Sequence, residues 1–228
     1  MNVNRNKTGD LWAAIGFLLA FALWTALICG VDVRAVGPNG TSVGFAAFNR
    51  WFHRLTGVHM SVYAATDWLG LAAIAVCLCF GALGVAQLVR RKSLLRVDAD
   101  IILLGLYYIL VVLAYLLFEM CPINYRPILI NGVLEASYPS STTLLVLSVM
   151  PTLKFQIDRR ADKPLVRIVT GIFVAAFSAF MVIARLLAGV HWATDIIGAV
   201  FLSMGLFLLY RYAVSQTDCR KEKTNGIQ

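Results

Sequence analysis

The sequence predicts an all-α fold, a polytopic membrane helix bundle, and three observations support this. The chain has 228 residues, of which 60% are hydrophobic and only 14% are charged, and its mean hydropathy is +0.77. Ordinary globular domains are closer to half apolar and one quarter charged. The apolar residues are gathered into long runs, and most lysines and arginines lie between alternate runs. A water-soluble domain is therefore excluded, and a single membrane domain is expected.

Six segments are apolar enough to cross a membrane. A span needs about 20 residues to cross roughly 30 Å of hydrocarbon as a helix. Outer-membrane strands would alternate apolar and polar residues, whereas these runs are continuously apolar. The first run is longer than a typical signal-peptide core of about 7 to 15 residues, so we expect a retained span. The predicted spans cover residues 11–30, 66–89, 101–118, 141–157, 166–184 and 192–212.

The basic residues predict the orientation of these six spans. Fifteen of the twenty lysines and arginines fall before the first span, in or next to the even-numbered connections, or in and just before the basic tail 213–228. Cytoplasmic loops are enriched in Lys and Arg, so both termini are expected in the cytoplasm. The formal charge of +8 then reflects topology and attraction to anionic membrane lipids, and we expect no nucleic-acid partner.

The first outward loop contains a further helical pattern. Phe45, Phe48, Trp51, Phe52 and Leu55 recur at helical spacing. This pattern is typical of an amphipathic helix in the outer interface, or of a lid that packs over the bundle, and the two readings are compatible. A turn is expected immediately before it, at residues 37–40.

The sequence carries no signal of a metal or cofactor. The five cysteines are sparse, and three of them, Cys29, Cys77 and Cys79, lie inside apolar runs. A thiol in such a run is most often a small hydrophobic residue, and Cys77-x-Cys79 lacks metal-ligand spacing. We therefore expect neither a metal site nor a cofactor.

Five polar residues stand at the outward ends of the later spans. They are Arg126, Ser140, Arg185, His191 and Asp195. Singly, each has an ordinary explanation, since a terminal arginine usually extends its side chain to the interface. Together they suit a phosphate-sized anion. The two guanidinium groups match phosphate oxygens, the start of a helix adds amide donors, and a carboxylate four residues from a histidine can orient the imidazole.

The chain resembles the type 2 phosphatidic-acid phosphatase family of membrane lipid-phosphate phosphatases, which are related to vanadium haloperoxidases. The family pattern is K-x6-R-P, P-S-G-H and S-R-x5-H-x3-D. Here it reads Glu119-x6-Arg126-Pro127, Pro139-Ser140-Ser141-Thr142 and Ala184-Arg185-x5-His191-x3-Asp195. The resemblance implies that His191 is a nucleophile that forms a phosphohistidine and that Asp195 orients it. It also implies that Arg126, Arg185 and Ser140 bind phosphate.

Three positions depart from the family pattern. Glu119 replaces the phosphate-binding lysine, Thr142 replaces the histidine that protonates the leaving group, and Ala184 replaces a serine. A carboxylate in place of a cation reverses an interaction worth about 1 kcal/mol even in water at 4 Å. Losing a general acid costs about 10² to 10⁴ in rate. Substitutes for the acid are sought in His53, His59 and Glu119.

Three functional readings follow from these departures. The chain is a metal-independent phosphatase or phosphotransferase of a phosphorylated or pyrophosphorylated lipid, or a pseudo-phosphatase that binds or transports such a lipid. In the third reading the charged cluster only fastens the bundle, with Glu119 paired to Arg126 or Arg185. We favour the enzyme, because a purely structural clamp does not need an oriented imidazole. Small size suits a bacterial inner membrane, with the site facing outward.

Overall fold

Seven α-helices form the protein, as seen in a computed structural model that describes the backbone of residues 3–225 and the side chains of residues 8–220. The helices α1 to α7 comprise, in order, Val3–Gly30, Ala46–Thr56, Met60–Arg91, Ala99–Met120, Ser141–Arg160, Pro164–Leu187 and Ala193–Asn225. Short 3₁₀ turns cover Pro38–Gly40 and Leu94–Arg96. The bundle confirms the predicted fold class.

Each predicted span coincides with a helix, but the six-span count stays a prediction. Five of the described helices, all except α2 and α5, are long and apolar enough to cross a membrane. The chain folds α5 where the fourth span was expected, and this helix contains Pro151 and four charged residues near its end. The side chains of the outermost predicted basic residues, Arg5, Lys7, Lys221 and Lys223, lie outside the described part.

Helix α5 is polar because other helices surround it. It contacts α3, α4, α6 and α7. The buried Ser148 carbonyl accepts a hydrogen bond of 2.8 Å from the Tyr107 hydroxyl, and the hydroxyls of Tyr108 and Thr152 lie 2.7 Å apart. These bonds satisfy polar groups that lipid would leave unpaired. Helices α1, α3, α4 and α6 instead expose many large apolar side chains, as expected of helices that face lipid.

Helices α1 and α7 pack closely along their length. A side chain at Gly205 of α7 would meet Leu18 of α1 at 2.8 Å, so this crossing requires a small residue. The Trp24 indole donates to the Thr194 carbonyl over 3.0 Å. Close approach at small residues and interhelical hydrogen bonds are the usual basis of helix association in membranes. This packing fixes the start of α7, where Asp195 lies.

The segment between α1 and α3 contains the predicted amphipathic helix. Two short antiparallel strands, Arg34–Ala35 (β1) and Ser42–Val43 (β2), flank the turn expected at residues 37–40. Helix α2 follows, with Asn49 buried against the bundle. Its other side presents exposed apolar residues, namely Phe48, Trp51 and Leu55. The helix thus has an inward polar anchor and an outward apolar face, in agreement with both sequence readings.

Candidate active site

Three segments that are remote in sequence converge at one end of the bundle. The loop 121–140 brings Arg126, the end of α6 brings Arg185, and the loop 188–192 brings His191. The nearest guanidinium nitrogen of Arg185 lies 3.3 Å from His191 Nε2. Arg126 and Arg185 both lie over the ring of Tyr63, at 5.6 and 4.9 Å from its centroid. The structure therefore brings together the three groups on which a phosphate site depends.

Ser137 holds one nitrogen of the His191 imidazole, and the other nitrogen keeps its lone pair and faces Arg185. Its Nδ1 lies 3.1 Å from the Ser137 carbonyl oxygen and 3.0 Å from the Ser137 hydroxyl. A carbonyl oxygen can only accept, so Nδ1 carries the hydrogen and Nε2 keeps its lone pair. Nε2 is the nitrogen that faces Arg185. This is the tautomer that a nucleophilic histidine requires.

Asp195 orients His191 through a third residue, which differs from the direct contact that the sequence suggested. The Ser137 hydroxyl donates to Asp195 Oδ2 over 2.5 Å and lies next to His191 Nδ1. Asn124 donates to Asp195 Oδ1 over 3.0 Å, and the Trp192 amide donates to Oδ2 over 3.1 Å. The carboxylate is thus fully buried and well bonded. Ser137 connects it to the imidazole.

Burial keeps His191 neutral. The ring is 4% exposed, and this desolvation holds its pKa well below the ordinary value of 6.5, with the charges of Arg126 and Arg185 acting in the same direction. Burial disfavours the charged imidazolium, and nearby cations disfavour it further. A neutral imidazole is available for attack across the physiological pH range.

Both arginines already have carboxylate partners. Arg126 Nε lies 3.0 Å from Glu135 Oε2, an ion-pair distance without hydrogen-bond geometry, and its buried NH1 has no hydrogen-bond partner in the described part of the chain. Arg185 contacts Asp67 at 3.4 Å and the Thr66 hydroxyl at 3.2 Å. The predicted pairing of Glu119 with an arginine is therefore not seen. Buried guanidinium nitrogens without partners are suited to an anion.

A cavity of about 250 Å³ opens beside these groups. Arg126 and His191 line it, whereas Arg185 lies behind His191 and is 1% exposed. A second, apolar groove of about 200 Å³ runs between α4 and α5 and shares Tyr115 and Ser141 with the cavity. The cavity is further lined by Phe118, Glu119, Glu135, Ala136, Ser137, Tyr138 and Pro139.

The residues that depart from the family pattern lie in different places. Glu119, at the end of α4, is exposed and lines the cavity. Thr142 lines the apolar groove instead, with its methyl group next to Gly70. Ser140 is fully buried, donates to the Thr143 hydroxyl over 3.0 Å and is not among the cavity-lining residues. The neighbouring Ser141 takes that place in the wall.

The two candidate substitute histidines lie outside the cavity. His53 Nε2 is 3.0 Å from the Gly189 carbonyl, so it donates to the loop that carries His191. His59 is exposed, and its Nε2 donates to the Thr56 carbonyl over 2.9 Å. The His53 ring therefore stabilises the loop that carries His191, and the His59 ring stabilises the connection between α2 and α3. Of the three substitutes that the sequence suggested, only Glu119 lines the cavity.

Several residues of the site were missed by the sequence analysis. Ser137 lies two residues before the second motif, and this position was the one available signal. Asn124, Glu135 and Asp67 belong to no motif. The roles of Asn124 and Glu135 depend on the path of the loop 121–140, and that of Asp67 depends on the packing of α3 against α6. No group of three or more His, Cys, Asp or Glu side chains suited to a metal occurs among the described residues.

The fold and the site define a class, that of membrane-embedded helical proteins with a pocket lined by arginine and histidine at one end of the bundle. The family description that matches the sequence is the PAP2 superfamily, over residues 99–218, which is more than half of the chain. The chain belongs to the PAP2 superfamily, and the predicted family is confirmed. Membership supports the predicted enzyme class, a membrane phosphoric-ester hydrolase.

A solved structure has the same fold. It is the crystal structure of the first transmembrane PAP2 type phosphatidylglycerolphosphate phosphatase from Bacillus subtilis, with a TM-score of 0.62 and 16% sequence identity. The match covers 88% of this chain and 94% of that one. At this identity the likeness establishes the fold alone. A comparison with curated proteins gave no match.

Proposed function

We propose that the protein is a lipid-phosphate phosphatase or phosphotransferase that acts through a phosphohistidine at His191, without a metal. The observation that carries this proposal is the state of His191, which is neutral, oriented by Ser137 and next to Arg185. Its ring lines a cavity together with Arg126. A fixed nucleophile beside preorganised cations is the arrangement that covalent phosphoryl transfer requires.

The reaction has two steps. His191 Nε2 attacks phosphorus, the ester P–O bond breaks, and the leaving oxygen takes a proton. Water then hydrolyses the phosphohistidine and releases inorganic phosphate, or an acceptor alcohol takes the phosphoryl group. Arg126, in the cavity wall, stabilises the charge on the phosphoryl oxygens in both steps, as a planar guanidinium group does at phosphate. Arg185 adds its positive charge from beside His191 Nε2.

The source of the leaving-group proton differs from the family pattern. Thr142 cannot act as an acid, and Glu119 is exposed to solvent. We infer that cavity water supplies the proton. Without a positioned acid the enzyme should favour substrates with good leaving groups, among which a polyprenyl pyrophosphate and a phosphatidyl phosphate stay candidates.

The lipid part of the substrate has a place beside the site. The groove between α4 and α5 joins the cavity at Tyr115 and Ser141 and is otherwise lined mainly by apolar residues. We propose that an acyl or prenyl chain occupies it while the phosphate enters the cavity. We also propose that this end of the bundle faces outward from a bacterial inner membrane, with both termini in the cytoplasm. The distribution of lysines and arginines along the sequence supports this orientation.

Phosphate release from lipid substrates tests the proposal. The full-length protein in detergent, with a chelator present, should release phosphate from a lipid phosphate or pyrophosphate, and His191→Gln should abolish the release. Ser203→Ala, a buried change in α7 remote from the cavity, serves as the control that keeps activity. Equal background in the wild type and His191→Gln across a broad lipid panel would exclude the enzyme.

Binding without turnover is the second candidate function. It is favoured by one observation, the ion pairs that already engage Arg126 and Arg185. In this case the lipid phosphate should bind without being cleaved, and Arg126→Ala should weaken binding. Thr142→His combined with Glu119→Lys should then install measurable hydrolysis. Unchanged binding in Arg126→Ala and in Arg185→Ala would exclude this function too.

A further inference from the structure

The charges around the cavity do not suit a bare dianionic phosphate. The guanidinium groups of Arg126 and Arg185 are each paired, with Glu135 and Asp67 respectively. His191 is neutral. Glu119 is a third carboxylate in this region, and no ion pair engages it among the residues that the structure describes. The wall therefore carries two carboxylates, Glu119 and Glu135, and one arginine, Arg126.

One group in the cavity wall, the guanidinium group of Arg126, is suited to bind an anion. The Arg126 side chain is 9% exposed, and its NH1 is buried without a hydrogen-bond partner in the described part of the chain. A buried cationic nitrogen left unpaired is costly, and a phosphate oxygen would satisfy it. The cavity thus has an anion-binding inner side at Arg126 and His191 and an anionic mouth at Glu119.

The mouth of the cavity is suited to a cation. Tyr115 precedes Glu119 by one helical turn on α4, so both side chains lie on one face, and both line the cavity. A carboxylate beside an aromatic ring attracts an ammonium group by charge and through the ring face. Glu135 cannot serve in the same way, because it lies at 3.0 Å from Arg126.

We propose that Glu119 binds a cationic group of the substrate, so that the cavity selects lipid phosphates that carry an ammonium group a few bonds from phosphorus. This rests on the proposed phosphate site and adds a specificity to it. An ammonium group near the ester oxygen also withdraws electrons and makes that oxygen a better leaving group. It would thereby offset part of the loss of the acid at Thr142.

A matched pair of soluble probes tests the inference without turnover. 3-Aminopropylphosphonate and butylphosphonate have the same length, cannot lose their phosphorus–carbon bond by hydrolysis, and differ only in the terminal ammonium. Their dissociation constants are measured by calorimetry on the full-length protein in detergent, with a chelator present so that no metal ion supplies the cation. We expect the aminophosphonate to bind about fivefold more tightly, the size of a partly exposed ion pair.

Variants separate the two proposals. Glu119→Gln should bring the ratio of the two constants to about one, and Glu119→Lys should reverse it. Asp158→Asn, which removes a carboxylate from α5, should leave the fivefold ratio unchanged. Arg126→Ala should weaken both probes alike, and if it does not, the phosphate site itself is wrong. Equal binding of the two probes to the wild type, or a fivefold ratio that persists in Glu119→Gln, overturns only the ammonium selection.

Discussion

Ser137 is the residue that connects Asp195 to His191. Its hydroxyl donates to Asp195 and lies 3.0 Å from His191 Nδ1, while its carbonyl also accepts from the imidazole. The tautomer of His191 therefore rests on two atoms of one residue. Partners behind a reactive group fix its orientation and are nearly as important as the group itself.

Ser137→Ala tests this role. The carbonyl remains, so the tautomer is kept, but Asp195 loses a bond and the ring loses its lateral support. We expect kcat for phosphate release to fall about 10- to 100-fold, with little change in KM. The pH–rate profile should also change shape. Ser141→Ala is the matched control in the cavity wall, and equal kcat values for both variants would contradict the role of Ser137.

Acid should destabilise the folded protein through His191. The pKa of this group is held well below 6.5 by burial, so below about pH 6.5 the unfolded chain binds a proton that the folded chain does not. Stability is then lost as pH falls below 6.5, by at most about 1.4 kcal/mol per pH unit. The difference in unfolding temperature between the wild type and His191→Gln, measured in detergent, should decrease from pH 7.5 to pH 5. A constant difference would show that His191 does not contribute.

Spacing within motifs made His191, Arg126 and Arg185 predictable from the sequence. Six residues separate Glu119 from Arg126 and five separate Arg185 from His191, and both spacings can be read directly from the sequence. The structure brings the two arginines and the histidine together. The carboxylates could not be read in this way. Asp67 meets Arg185 from 118 residues away, and Glu135 meets Arg126 across the irregular loop 121–140. Only the folded path of the chain determines which acid reaches which base.

At the scale of elements, the groove between α4 and α5 offers a test of lipid recognition. Val112 lines the groove and is half exposed, whereas the next residue, Leu113, is equally exposed but does not line it. Val112→Trp should fill the groove and lower phosphate release from a long-chain lipid phosphate at least tenfold. Release from a short-chain phosphate ester should change little, because only the long chain needs the groove.

Leu113→Trp is the control for this substitution, since it adds the same ring at the neighbouring position. It should leave both substrates unaffected. If the two tryptophan variants act alike on the long-chain substrate, the lipid chain lies elsewhere. If Val112→Trp also stops the short-chain reaction, the cause is damage to the cavity.

The predicted spans begin within a few residues of α4 to α7, whereas α1 and α3 begin further upstream than predicted and α7 continues to Asn225. The start of each predicted span was chosen by hydropathy. The second predicted span therefore begins at residue 66, whereas α3 begins at Met60. The additional turn carries Tyr63, which packs beside Ile130 and Val190 and lies under both arginines. A polar or aromatic residue at a helix start has no hydropathy signal, so this extension could not be foreseen.

At the scale of the whole molecule, a second polar cluster lies at the end of the bundle opposite the site. Asp100 of α4 contacts Arg159 at 3.3 Å and Arg160 at 2.9 Å, and Arg159 also pairs with Asp218 of α7. These contacts join α4, α5 and α7. The two ends of the bundle thus differ in kind, since charges pair among the helices at one end and surround a cavity at the other.

Thiol labelling tests the proposed orientation. Leu95, in the connection between α3 and α4, is 94% exposed, and Cys121, at the other end of α4, is also exposed. In variants with a single cysteine, an impermeant reagent applied outside intact cells should label Cys121 and not Leu95→Cys. The opposite pattern would place the cavity at the cytoplasmic face. Labelling of both after permeabilisation confirms that each thiol can react.

Two glycines tie the loop of His191 to the connection between α2 and α3. A side chain at Gly189 would come within 1.9 Å of the Gly57 carbonyl oxygen, and the backbone amide of His59 donates to Ala188. The bend at Gly57 and the bend at Gly189 are in direct main-chain contact. No side chain lies between them that could move to accommodate a change in either bend. Insertions or deletions in either bend will therefore be tolerated only when the other bend is redesigned with it. Grafting the loop that carries His191 into another scaffold requires that the connection between α2 and α3 be transferred as well.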